Sequence, residues 1–170
     1  MSKTFSLIGV LFFAMGISAA QAANLSVTEK VDIATSPSSV WAATKDFNGI
    51  ANWHPAIISQ TTSNDNHPGS VRVVDLGGPT ITEELVRFNG EHKNFTYKIT
   101  NVDPAILPVE GYISWFSVRS NGLGGSTVTW MGNFSLVGDA KAADVKKGVR
   151  GIYRAGLESL KATLEASVQQ

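Results

Sequence analysis

The chain has 170 residues, 43% of them hydrophobic and 16% charged, with 14 basic and 14 acidic side chains and no cysteine. That composition suits a globular unit with an apolar core, and the balanced charge supplies no basic patch of the kind that nucleic acid or an anionic membrane surface requires. Without cysteine there is no disulfide framework, thiolate metal site, catalytic thiol or cysteine-borne lipid anchor, so stability rests on packing.

Residues 1–22 read as a secretory signal: Lys3 gives a positive start, Phe5 to Ile17 an apolar run, and Ala20-Gln21-Ala22 a small-residue cleavage site before Ala23. The run falls short of the roughly 20 apolar residues of a spanning helix. The expectation is therefore a periplasmic or secreted domain over 23–170 with no membrane insertion after cleavage. Asn24, Asn94 and Asn133 match the glycosylation pattern but stand in strand-like apolar contexts and read as chance matches.

The alternating, β-branched stretch Leu25 to Thr35 predicts the first strand. Ser36-Pro37-Ser38-Ser39 then supplies an N-cap and a proline at the first helical position, predicting a short helix from Pro37 to Asp46. Asn48-Gly49 ends it, and Trp53-His54-Pro55 closes a second short helix or turn before an extended run from Ile57 to Thr62. Beyond the polar turn Asn64 to Gly69, strands are expected at Val71 to Leu76 and Thr80 to Phe88 around Gly77-Gly78-Pro79. Another follows the Asn89-Gly90 turn, where Phe95, Tyr97 and Ile99 alternate with polar residues. After an apolar loop with two prolines, Pro104 to Val109, the runs Tyr112 to Val118 and Ser126 to Val137 predict a last hairpin around Gly122 to Gly125, a turn rather than a phosphate cradle.

Asp139 to Val168 carries the strongest helical periodicity. Val145, Val149, Ile152, Tyr153, Gly156, Leu157, Leu160 and Leu164 share one arc, with Lys147, Arg150, Arg154, Glu158, Lys161 and Glu165 on the other side. The simplest way to bury that arc is against a curved antiparallel sheet. Gly156, inside the arc, costs about 1 kcal/mol in helix propensity relative to alanine, so it marks either the wall of a cavity or close packing on a strand.

This order of elements, together with SPSSVWAATKDFNGIANWHPAI, Gly69 to Arg72, ITEEL with Glu83, TVTW with Phe134, and IYRAGLESLK, resembles the SRPBCC superfamily of START-like, Bet v 1-like proteins, in particular its polyketide cyclase/dehydrase branch. The signal and the WHP word are similar to MxaD-like secreted proteins associated with methanol oxidation. The resemblance implies an α+β helix-grip fold: a curved sheet of about seven strands around a long C-terminal helix, two short helices between strands one and two, and an apolar cavity for a small ligand.

Trp53, Tyr97, Tyr112, Phe116, Trp130 and Tyr153 are candidates to line such a cavity, or else belong to the core. His54 stands in an apolar setting and is either a proton-transfer group, with Asp46 as the carboxylate to orient it, or a capping or hydrogen-bonded surface histidine. Glu83 shares strand parity with Ile81 and Leu85, so it faces inward and needs a partner. Arg72 lies across the hairpin, and a slip of one residue would give it Glu84 instead. His54, His67 and His92 lack the spacing of a metal site, and the sequence contains neither a GxSxG elbow nor a dinucleotide fingerprint, so no metal or cofactor is expected. Three functions fit: a periplasmic carrier of a small hydrophobic molecule, a cyclase/dehydrase-type enzyme using His54 or Glu83, or an accessory protein that docks a periplasmic oxidoreductase through Pro104 to Val109.

Overall fold

The computed structural model describes residues 24–62 and 66–167; the expected signal segment, 1–22, lies outside the described residues. Seven strands, β1 (Leu25–Ile33), β2 (Ser59–Thr62), β3 (Val71–Asp75), β4 (Thr80–Asn89), β5 (Asn94–Val102), β6 (Val109–Ser120) and β7 (Ser126–Leu136), form one antiparallel sheet in the order β1-β7-β6-β5-β4-β3-β2. Between β1 and β2 lie helix α1 (Pro37–Thr44) and a 3₁₀ helix, Phe47–Asn52; α2 (Ala142–Ala166) closes the chain. This is the expected helix-grip arrangement, with most predicted elements one to three residues longer than observed at their ends and β5 and β6 longer than predicted.

Local chemistry sets the boundaries. The Ser36 hydroxyl accepts from Ser39 N–H at 3.2 Å with Pro37 opening the helix. Asp46 does the same for the 3₁₀ helix by accepting from Asn48 N–H at 2.9 Å, which commits it to capping and away from His54. At the β3–β4 hairpin the Asp75 carboxylate accepts from the N–H groups of Gly77 (2.8 Å) and Gly78 (3.0 Å), both in the positive-φ region that only glycine adopts without strain. Those backbone donors hold the Asp75 carboxyl below its ordinary range.

The register places Arg72 opposite Glu83, not Glu84. A register shift against β5 between Thr82 and Glu83, and a second in β6 between Glu110 and Ile113 where Gly111 has positive φ, adjust the inward aim of Glu83 and Tyr112. The concave face carries a core running from Val27, Val31 and Ile33 across Val128, Val118 and Phe116 to Leu85 and Phe47, and α2 buries Val145, Val149, Tyr153, Gly156, Leu157 and Leu160 against it.

Two members of the predicted apolar arc differ: Leu164 is half-buried and Ile152 is 43% exposed. The polar side of α2 is not simply solvated. Arg150 and Arg154 both reach Glu29, a buried carboxylate of β1, Lys161 donates to the Asp32 carbonyl (2.6 Å), and Glu165 accepts from Ala34 N–H (2.9 Å). These bonds tie one flank of the helix to the edge strand. Among the described residues, no helix is long and apolar enough to cross a membrane.

Candidate functional site

Away from the β1 flank, α2 stands off the sheet and leaves a partly open cavity of about 320 Å³. Its floor is Val74 and Leu76 at the end of β3, Ile81 and Glu83 of β4, Tyr97 and Ile99 of β5, Tyr112 of β6 and Trp130 of β7. Ile50, His54 and Ile57 bound one side, Gly148, Val149, Ile152 and Tyr153 of α2 form the roof, and Ile106 and Leu107 stand at the rim. A wider hollow of about 710 Å³ beside Lys45, Asp46, His67 and Phe88 is an open surface depression without this apolar enclosure.

Of the candidate ligand residues, Tyr97, Tyr112, Trp130 and Tyr153 line the cavity, together with His54 and Glu83. Trp53, Phe116 and Gly156 do not. Trp53 packs on Phe116 (5.9 Å between centroids) and Trp130 (5.7 Å), its indole nitrogen buried without a hydrogen-bond partner among the described residues. Phe116 is stacked behind it on Phe95 at 5.1 Å. Gly156 is the close-approach case, although the neighbours are side chains rather than a strand. A Cβ there would overlap the His54 ring, with Nε2 at 3.0 Å and Trp53 Cζ3 at 3.1 Å.

His54 is not at the surface: it is 2% exposed. Its Nδ1 accepts from Ala56 N–H (3.2 Å), so the proton sits on Nε2, which donates to the Ile152 carbonyl (3.0 Å). Burial holds its pKa below the ordinary value of 6.5, with the Arg72 charge acting the same way and the bond to Ile152 opposing both. With both nitrogens engaged by backbone, this neutral imidazole joins the segment after the 3₁₀ helix to α2 and has no lone pair left for a substrate proton.

A second polar group sits at the Trp130 end. Ser114 Oγ–H donates to the Met131 carbonyl (2.9 Å), which commits its proton and makes it the acceptor for Tyr153 O–H (3.1 Å). Tyr153 therefore accepts from Tyr112 O–H, so the chain of protons runs from Tyr112 to Tyr153 to Ser114 to backbone. Trp130 Nε1–H donates to Ser114 Oγ (3.0 Å) and Tyr97 Oη (3.1 Å), and its ring stacks on Tyr153 at 4.3 Å.

Burial, the largest cause at each, raises all three tyrosine pKa values well above 10, so the phenols stay protonated. The group fits because Tyr97, Ser114 and Gly132 pair in a row across β5, β6 and β7. A Cβ at Gly132 would come within 2.6 Å of Tyr153 Oη and 2.8 Å of Tyr112 Oη. Sequence reading missed Ser114 and Gly132, whose signal is small residues at matched register, and also Gly148, whose Cβ would meet nothing within 4 Å.

Glu83 and Arg72 form a buried pair, with Nε donating to Oε2 at 2.5 Å. The guanidinium also donates to the Phe47 carbonyl and lies over the Phe47 ring at 4.0 Å and the Tyr97 ring at 5.1 Å. Among the described residues, no three His, Cys, Asp or Glu side chains are grouped to hold a metal ion. The Pro104 to Val109 loop, expected as an exposed docking contact, is divided: Pro104 to Ile106 are exposed, Ile106 and Leu107 edge the cavity, and Val109 is buried.

Comparison with known proteins agrees with this architecture. The chain is similar to the XoxI protein of Bacillus cereus, with 30% identity over 81% of this chain and 94% of that one and a TM-score of 0.74. It resembles an uncharacterised protein of Bacillus thuringiensis at 30% identity, 82% and 98% coverage and a TM-score of 0.73. At 17% identity it shares the fold of Ara h 8.0201, with 85% and 99% coverage and a TM-score of 0.70. No curated protein matches the sequence. Residues 24–165 match the family described as polyketide cyclase / dehydrase and lipid transport, and the chain belongs to that family, within the SRPBCC superfamily of helix-grip proteins.

Proposed function

We propose that this protein binds and carries a small, largely apolar molecule between α2 and the sheet, and that it does so in the periplasm or outside the cell, as the signal-like segment 1–22 suggests. The observation that carries this reading is the cavity of about 320 Å³, a volume at the lower end for small-molecule sites, lined mainly by Ile, Val, Leu and aromatic side chains. Its polar groups are held in place: His54 by two backbone bonds, Tyr112 and Tyr153 in a relay that ends on backbone, and Glu83 against Arg72. A family that binds small hydrophobic ligands supports the reading.

Titration with an apolar fluorescent probe tests it. Saturable binding at one site per chain, displaced by small apolar competitors, is the expected result; a linear, unsaturable signal contradicts it.

A cyclase/dehydrase-type enzyme is the second reading, favoured by the carboxylate of Glu83 in the cavity wall. Turnover of a substrate that falls about a hundredfold in Glu83→Gln with binding retained would establish it over the carrier. The accessory role, docking a periplasmic oxidoreductase in the MxaD-like manner, rests on the exposed Pro104 to Ile106 segment, and co-purification with such an enzyme would favour it.

A further inference from the structure

Glu83 is 7% exposed and its two oxygens have different surroundings. Oε2 accepts from Arg72, whereas Oε1 has no hydrogen-bond partner among the described residues and belongs to a side chain that lines the cavity. Arg72 is 2% exposed and is held behind the wall by the Phe47 carbonyl and the faces of Phe47 and Tyr97, so it does not itself line the cavity. The pair is neutral as a whole, but its negative end is turned toward the space and its positive end away from it. A ligand that fills the cavity strips this acceptor of solvent, and one that donates to it offsets that cost.

Neither His54 nor Tyr112 changes this sign. His54 spends its donor on Ile152, and the Tyr112 proton is committed to Tyr153. A carboxylate brought into the cavity would meet Glu83 at close range with the Arg72 charge already used. An ammonium would find the acceptor but leave the site with a net positive charge in an apolar space, which is costly. A neutral hydroxyl donates one proton to Oε1 and adds no charge.

We propose that the ligand of this cavity is a small hydrophobic alcohol or phenol, seated with its hydroxyl donating to Glu83 Oε1, and that the site rejects carboxylic acids of the same shape. This rests on the carrier reading and specifies its ligand class.

The test is displacement of the apolar probe, near neutral pH, by octanol, octylamine and octanoate, which share a chain and differ at the head. Octanol is expected to bind about tenfold or more tightly than octanoate, the scale of a hydrogen bond to a charged acceptor, with octylamine between them. Glu83→Gln is expected to cut that preference severalfold. Because it strands Arg72, a second variant carries Arg72→Met with Glu83→Leu, removes both charges and the acceptor, and is expected to weaken octanol about tenfold while the apolar probe binds as before, once circular dichroism shows it folded.

Octanoate or octylamine binding as tightly as octanol to the wild-type protein overturns the proposal and leaves the carrier standing. Octanol binding the folded double variant as tightly as the wild-type protein also overturns it. Failure of the probe to bind at all removes both.

Discussion

Gly148 and Gly156 stand about two turns apart on α2 and serve opposite ends. At Gly156 the missing side chain is filled by a neighbour: His54 and Trp53 press against the helix, Leu157 and Leu160 are fully buried beside it, and Lys161 and Glu165 fasten the next turns to β1. Gly148 is exposed, with nothing within 4 Å of where its Cβ would lie, and Val149, Ile152 and Tyr153 beside it roof a cavity. One helix is thus an anchor in its second half and a wall in its first. Gly156, on the buried face, marks a neighbour that comes close, whereas Gly148, exposed beside the cavity, marks a space kept open.

The comparison breaks most visibly at the anchor. Gly156→Leu should destabilise the fold by about 3 kcal/mol or more, since the ring of a doubly bonded His54 has no place to move; the gain in helix propensity offsets only about 1 kcal/mol. Urea unfolding measures this, and a variant as stable as wild type would contradict the packing described. Gly132→Ala should cost about 2 kcal/mol by forcing the Tyr112 and Tyr153 hydroxyls off β7, with a change in near-ultraviolet circular dichroism but little change in the far-ultraviolet. Retention of both signals and stability would mean that the tyrosine relay is not seated there.

How these two glycines read in the sequence shows what was legible and what was not. Strand parity turns Glu83 inward, because it follows from a period of two, whereas the tight turn brings Arg72 near without choosing between Glu83 and Glu84, a choice that only the strand register makes. The apolar arc of α2 was equally plain. Of the two readings of His54, the hydrogen-bonded one holds but not at the surface, because its partners, the Ile152 carbonyl and Ala56 N–H, are backbone groups, and one of them lies on a helix far away in the chain. Gly156 was assigned a choice between void and strand, whereas the neighbour is a loop that sequence alone could not bring there. Trp53 and Phe116 read like the other aromatics, yet they pack one layer behind the cavity, a distinction set by which ring stacks on which. Ser114 and Gly132 carry no chemistry of their own and become visible only when register lays them beside Tyr97.

A smaller effect sharpens the anchor's role. Because burial depresses the pKa of His54 in the folded state, the unfolded chain binds more protons below the ordinary value of 6.5, so stability is full above that pH and is lost as pH falls through the folded-state pKa. The slope is at most about 1.4 kcal/mol per pH unit for one proton. His54→Gln should flatten it in unfolding measured from neutral to mildly acidic pH, before the carboxylates titrate. A slope of unchanged size in that variant would assign it to other groups.

The wall is tested last, and most directly, by Gly148→Leu. Gly148 is exposed and its Cβ would meet nothing within 4 Å, so stability should stay the same or rise by up to about 1 kcal/mol from helix propensity. Affinity for the apolar probe should fall about tenfold or more because Gly148 lines the cavity and a leucine there obstructs it. A folded variant that binds the probe as tightly as the wild-type protein would contradict the central claim that this cavity is the binding site.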